Sequence, residues 1–131
     1  MTKLMLSILA GLTIAGTGAS VAAADSNCQD FEIHVHNEFE VGGDAKDIRV
    51  VDFSYWDDED SRWRNETTSN SVIGVGDDDL WEKNLSYVGG ETGVVIRVFF
   101  QVFDGGWGPT IHRDSNAFRC IDGDHLDIDV D

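Results

Sequence analysis

Carboxylates crowd into three stretches of this sequence, and each stretch begins in or beside a predicted turn. They are 57–60, which reads Asp-Asp-Glu-Asp, the triple aspartate at 77–79, and 122–131, where every second or third residue is Asp. Ca²⁺ takes about six to eight oxygen ligands, and short carboxylates beside backbone carbonyls supply them. The stretches therefore predict calcium binding, although none has the full EF-hand spacing. The predicted ligands are Asp58, Asp60, Asp77, Asp79, Asp122 and Asp124. The alternative is a solvated acidic surface adapted to salt, which screens repulsion among carboxylates.

Two histidines, His34 and His36, lie two residues apart on the polar face of a predicted strand. Imidazoles at this spacing bind Zn²⁺ or Cu²⁺ when a neighbouring strand supplies a third ligand. His112 and His125 are the candidates for that ligand, but the sequence cannot place them. One alternative is a pair of surface histidines that contact acids of neighbouring strands, and another is a patch sensitive to pH in the range of about 6–7.

Three of the four tryptophans lie at predicted turns. Trp56 and Trp63 flank the turn at 57–61, and Trp107 lies in the Gly-rich stretch 105–109. Exposed rings on loops stack on sugars, anchor a partner protein or insert into a lipid interface. We therefore predict that these three residues bind a ligand, the alternative being that the rings fold back over the edge of the domain. Trp81 lies on an apolar face and is predicted to be in the core.

Catalysis finds little support in the sequence. The two cysteines are predicted to form a disulfide, so a nucleophile would have to be Ser or Thr, and no G-x-S-x-G turn is present. Carboxylates are so numerous that a pair at glycosidase separation is expected by chance. The sequence therefore predicts a protein that is not an enzyme.

The elements that position these residues are predicted to be strands. Phe31–Asn37 alternates apolar and polar residues, and Val94–Phe103 is nearly continuous in apolar residues, as is typical of a central strand. The other predicted strands are 47–56, 62–68, 71–75, 80–88, 110–115, 117–121 and 126–130. About 7–9 short strands separated by Gly- and Asp-rich turns predict an all-β fold, a single antiparallel β-sandwich of immunoglobulin-like architecture at 25–131.

The first 24 residues have the pattern of a secretory signal peptide. Lys3 precedes an apolar run at 4–15, and small residues at 22–24 provide a cleavage site. A membrane anchor is the alternative, but the run is short against the ~20 residues that span a bilayer. The mature protein is therefore predicted to be secreted or periplasmic. In such an oxidising compartment, Cys28 and Cys120 are expected to form a disulfide between the terminal regions.

The charge balance restricts the partners. The 131 residues include 25 acids and 9 bases, a formal charge of −16, and loss of residues 1–24 removes one Lys, which leaves −17. Such a surface repels phosphate, so nucleic acid and anionic lipid headgroups are expected to be poor partners unless a cation bridges them. We predict no nucleic-acid partner.

Three classes of function remain. The first is a non-catalytic binding module in which aromatic loops and calcium-binding turns hold a carbohydrate or other ligand. The second is an acidic inhibitor or scavenger of a cationic secreted protein, whose encounter the charge would accelerate. The third, ranked last, is a small membrane-active β toxin, because the charge opposes stable insertion.

Overall fold

The computed structural model describes residues 26–131, and that part of the chain is all-β. The strands are β1 Cys28–Asn37, β2 Glu40–Val41, β3 Asp44–Ala45, β4 Ile48–Asp57, β5 Arg62–Glu66, β6 Ser71–Ile73, β7 Asp78–Leu85, β8 Val95–Val102, β9 Ile111–Asp114 and β10 His125–Val130. The predicted signal peptide at 1–24 lies outside the described residues. Within 26–131, no helix has the length and apolarity needed to cross a bilayer.

Two main sheets share one hydrophobic core. One has the order β10-β1-β7, and the other has the order β5-β4-β8-β9, with β6 also paired to β4. Ile33 and Val35 of β1 and Val98 of β8 are fully buried, whereas their sequence neighbours are half-buried or exposed. The rings of Phe53 in β4 and Trp81 in β7 meet edge to face at 5.1 Å and join the two sheets. This arrangement is consistent with the predicted β-sandwich, and Trp81 packs against the core as expected.

Strand β8 lies between β4 and β9, as its apolar sequence predicts, but only one of its faces is buried. Ile96, Val98 and Phe100 point into the core, and the alternating Arg97 and Phe99 remain half-buried on the other face. Burial therefore alternates from residue to residue along β8, although most of its residues are apolar. The outer face of this sheet therefore carries side chains that are accessible to a ligand.

One strand pair departs from the predicted antiparallel arrangement, because β10 runs parallel to β1. The disulfide between Cys28 and Cys120 lies beside this pair and confirms the predicted pairing of the cysteines. Cys28 begins β1, and Cys120 precedes β10 by a short turn, so both strands start at the same end of the sheet. The bond indicates folding in a non-reducing compartment.

The predicted strand at 117–121 is absent. Its only ladder contact is an isolated bridge between Phe118 and Val94, after which the chain turns so that Cys120 hydrogen-bonds to the backbone of Glu91. The segment therefore ties the β7–β8 loop to the disulfide instead of extending a sheet. The small β2–β3 hairpin, centred on two glycines in the left-handed region, was not among the predicted strands.

Candidate functional site

The β4–β5 hairpin places Trp56 and Trp63 directly opposite each other. Both lie in strands, on the face turned away from the core, and their ring centroids are 5.5 Å apart. The turn between them is short, and Ser61 adopts a φ of 51°, the left-handed conformation that closes such hairpins. Trp63 is 37% exposed, so the pair presents one ring to solvent and supports it with the other.

An arginine holds the exposed ring in place. The guanidinium of Arg97 lies 4.1 Å from the ring centroid of Trp63, within cation–π range. Asp114 accepts two hydrogen bonds from Arg97, at 2.7 and 2.9 Å, and these lower the pKa of its carboxyl. This bidentate pairing fixes the guanidinium plane, and with it one side of the indole.

A groove of about 430 Å³ runs along the open edge of β5, between Trp63 and Tyr87. Tyr87 lies in the loop that joins β7 to β8, and it is 49% exposed. Its φ of 71° is unusual for a residue with a large side chain and marks local backbone strain. The guanidinium of Arg64 lies 4.3 Å from the Tyr87 ring centroid. Both exposed rings of the groove are therefore backed by an arginine.

Trp107 lies at the opposite end of β4 from this hairpin. Its ring packs edge to face on Phe103 at 5.2 Å, and the Arg49 guanidinium lies 4.4 Å from its centroid. Arg49 in turn donates two hydrogen bonds to Gln101 of β8. The structure thus brings Trp56 and Trp63 together and places Trp107 in a separate, half-buried cluster.

A buried carboxyl pair lies beneath the hairpin turn. Asp57 is 1% exposed and accepts hydrogen bonds from the Arg64 Nε at 2.9 Å and the Asp60 N–H at 3.2 Å. Glu91 is 4% exposed, and its Oε1 accepts a hydrogen bond from the Glu59 N–H at 3.0 Å. The other oxygen, Oε2, is buried without a partner. A proton on that oxygen would satisfy it by hydrogen bonding to Asp57.

The pKa values of the two carboxyls are shifted in opposite directions, upward for Glu91 and downward for Asp57. Burial, together with the neighbouring Asp57 and Glu59, raises the pKa of Glu91 to about 7, against an opposing hydrogen bond from the Glu59 N–H. Burial alone would raise the pKa of Asp57 too, but hydrogen bonds from Arg64, Asp60 and Glu91 bring it below its ordinary value. Below about pH 7, Glu91 therefore holds a proton while Asp57 stays charged.

The predicted calcium ligands do not converge on one site; most of them accept hydrogen bonds from their own neighbours. Asp58 accepts from the Trp56 indole N–H at 3.0 Å, and Asp60 accepts from Arg64 at 2.8 Å. The others have separate partners. Asp79, in β7, accepts from Ser71 and Leu80, and Asp77 lies beside Gly74. Asp122 accepts from the Gln29 N–H, and Asp124 accepts from the His125 N–H. Across residues 26–131, no group of three or more His, Cys, Asp or Glu side chains is arranged to hold a metal ion. Calcium binding stays a prediction from the sequence.

The histidines are divided between the two sheets. His34 and His125 lie on the outer face of the three-stranded sheet, with ring centroids 5.4 Å apart, whereas His112 packs on Phe99 of the other sheet. His34 contacts Glu32 and Asp127 at 3.3 and 3.5 Å, and His36 contacts Glu38 at 3.5 Å. The contact of His34 with Asp127 matches the alternative prediction, in which surface histidines contact acids of a neighbouring strand.

Arg97, Tyr87 and Glu91 were missed as site residues from the sequence. Arg97 could have been found, because a lone charge inside an apolar strand must face outward at the alternation of β8. Tyr87 and Glu91 lie in a loop whose contacts with β4 and β5 are distant in sequence, and no local signal marks them.

Comparison with models of known protein families, with curated proteins and with solved structures finds no match to this chain.

Proposed function

We propose that the protein is a secreted or periplasmic, non-catalytic binding module of immunoglobulin-like architecture that holds a neutral carbohydrate in the groove along β5. The observation that carries this proposal is the pair of exposed aromatic residues, Trp63 and Tyr87, that line one groove with an arginine against each ring. Aromatic faces stack on the apolar faces of sugar rings, and rings held before binding lose less entropy when the ligand arrives.

Polar groups around the rings support a sugar as ligand. Arg62 and Asn65 line the same groove and provide donors and an acceptor for hydroxyl groups. The side-chain amide of Asn65 donates to Asp52 at 2.9 Å, which orients it across the strand. A few oriented polar groups among aromatic rings are the usual composition of a small-ligand site. The overall charge of −16 favours a neutral glycan over an anionic one.

The test is binding to a panel of neutral β-linked hexasaccharides of glucose, mannose, xylose and N-acetylglucosamine, followed by calorimetry and tryptophan fluorescence. We expect Trp63→Ala and Tyr87→Ala each to weaken the best interaction at least about tenfold, as at an energetic hot spot. Leu80→Ala is the control, because Leu80 is 47% exposed on the other sheet. Wild-type protein that binds none of these glycans, or variants that bind as well as wild type, would contradict the proposal.

Trp107→Ala measures whether the separate cluster at the other end of β4 also contacts the glycan. We expect a smaller loss than for Trp63→Ala, because Trp107 is half-buried and already packed against Phe103 and Arg49. A loss equal to that of Trp63→Ala would extend the binding site along the whole outer face of the sheet.

The second candidate function is capture of a cationic secreted protein by the outer face of β10-β1-β7. The strand positions that point outward there carry acids, histidines and two neutral residues, with no Lys or Arg. They are Glu32, His34, His36, Asp78, Leu80, Glu82, Asn84, His125, Asp127 and Asp129. A lysine decamer is a direct probe of this face. We expect its association rate to fall steeply with salt, and to fall with Asp127→Asn plus Asp129→Asn but not with Trp63→Ala.

A further inference from the structure

We infer that the buried carboxyl pair of Glu91 and Asp57 is a proton-dependent latch that fixes the β7–β8 loop against the β4–β5 hairpin and so regulates the groove. The inference rests on the proposed function only for its effect on binding. The latch itself stands on the contacts between the loop and the hairpin.

Two links join the loop to the hairpin. Glu91, in the loop, accepts from the Glu59 N–H in the turn, and Tyr87, earlier in the same loop, lies under the Arg64 guanidinium of β5. Arg64 and Glu91 meet at Asp57, which accepts from Arg64 at 2.9 Å. The position of Tyr87 in the groove therefore depends on the same buried cluster that holds Glu91.

The cluster is complete only with a proton on Glu91. Without it, Oε2 of Glu91 is a buried oxygen with no donor, next to the carboxylate of Asp57. The hydrogen bonds of Arg64 go to other carboxylates, because its Nε donates to Asp57 and its Nη2 to Asp60. With the proton, Oε2 donates to Asp57, and every polar atom of the pair has a partner.

Among the described residues, the surroundings contribute no second buried cation that could replace this proton. The charged or titratable groups that face the cluster come from β4, the hairpin turn, β5 and the β7–β8 loop. They are Tyr55, Asp57, Asp58, Glu59, Asp60, Arg62, Arg64 and Tyr87. Of the two cations in this set, Arg62 is exposed opposite Asp57, and Arg64 already donates to Asp57. Deprotonation of Glu91 therefore places a second negative charge in a buried site and disfavours the joined state of loop and hairpin.

Hydrogen exchange measured by NMR tests the latch without any ligand. Protection factors of the Glu59 and Asp60 amides, from which the intrinsic pH effect is divided out, report whether their hydrogen bonds to Glu91 and Asp57 hold. We expect both factors to fall about tenfold or more between pH 6 and pH 8.5 in the wild type, since one pKa unit corresponds to a tenfold change.

Two variants separate the latch from general effects of charge. Glu91→Gln keeps the acceptor for the Glu59 N–H and carries a permanent donor toward Asp57, so its protection factors should not change with pH. Glu40→Gln removes the same charge from the exposed β2 and should behave as the wild type. Unchanged wild-type protection at pH 8.5, or an equal fall in Glu91→Gln, overturns the latch. A carboxyl carbon of Glu91 that titrates together with the exposed glutamates also overturns it.

Binding then tests the regulation. The probe is the hexasaccharide of the panel that the wild type binds most tightly, measured by calorimetry at pH 6 and pH 8.5. We expect about tenfold weaker binding at pH 8.5 in the wild type and no change in Glu91→Gln. Equal wild-type affinity at both values overturns the regulation and leaves the proposed function standing. Absence of glycan binding at both values overturns the proposed function, and the exchange data then decide the latch alone.

Discussion

Two arginines back the exposed rings of the groove, and the carboxylates that hold them differ in burial. Asp57, the partner of Arg64, is 1% exposed, whereas the Asp114 side chain, the partner of Arg97, is 37% exposed. A buried ion pair and a surface ion pair respond differently to the loss of one partner, because only the buried charge is then left without solvent.

This difference predicts the effect of removing each guanidinium. Arg64→Met retains an apolar stem but leaves Asp57 buried and unpaired, so we expect the free energy of unfolding to fall by about 3 kcal/mol at pH 7. Arg97→Met, the matched control at the surface, should cost about 1 kcal/mol or less, including its cation–π contact. Urea denaturation measures both values. Equal losses would show that burial of Asp57 does not determine the cost.

The protonation of Glu91 also predicts how stability depends on pH. Its folded pKa of about 7 lies above the ordinary value of 4.5, so its contribution is fully present below pH 4.5 and is lost as pH rises through 7. The full shift corresponds to at most about 3 kcal/mol. Asp57, whose pKa is lowered, acts in the opposite sense and stabilises the fold above its folded pKa.

Urea denaturation from pH 4.5 to 8.5 checks this prediction. We expect the unfolding free energy of the wild type to fall across this range and that of Glu91→Gln to fall much less. Glu40→Gln, which changes the net charge equally at an exposed site, should retain the wild-type slope. A Glu91→Gln profile as steep as that of Glu40→Gln would assign the slope to overall charge repulsion instead.

At the level of the elements, the outer edge of β10 is protected by charge. Among the described strands, β10 pairs only with β1, and its outward residues include Asp127 and Asp129. Charged side chains on an edge strand discourage pairing with a second molecule. The acidic ending of the chain therefore has a structural use that requires no metal ion.

Neutral residues at these two positions should expose the edge. We expect Asp127→Thr plus Asp129→Thr to self-associate with rising concentration in analytical ultracentrifugation, while the wild type does not. Glu40→Thr plus Asp44→Thr, on the separate β2–β3 hairpin, is the control for loss of two charges. Association of both double variants would point to net charge, not edge pairing, as the cause.

Across the whole molecule, the two outer faces differ in chemistry. The three-stranded sheet presents acids and histidines, whereas the five-stranded sheet presents Trp56, Trp63, Arg49 and Arg97. The outward strand positions of the three-stranded sheet therefore carry acids with no Lys or Arg, whereas the rings that we propose to bind a glycan each lie beside an arginine. Long-range attraction of a cationic partner and short-range stacking on a sugar would use opposite sides.

Thermal unfolding distinguishes a calcium site from a charged surface. A site of micromolar affinity should stabilise the native state by about 4 kcal/mol at millimolar Ca²⁺. Screening alone should give the same rise in melting temperature for CaCl₂ and for NaCl of equal ionic strength. If the acidic turns bind calcium as the sequence predicts, CaCl₂ will exceed matched NaCl and EDTA will reverse the excess. Equal effects would refute the predicted site.

The sequence by itself determined most of the strands, the disulfide and the acidic character, because alternation, turn residues and cysteine count are local or compositional properties. It wrongly predicted a strand at 117–121 and missed the short β2 and β3. It also indicated Trp56 and Trp63, which flank a short turn. Tertiary structure decided the rest. Arg97 meets Trp63, Arg64 meets Tyr87, and Glu91 meets Asp57 only because β4 pairs with β5 and β8 and the β7–β8 loop packs beneath them. Contacts between residues so distant in the chain depend on the order of strands and on burial, neither of which any local pattern encodes.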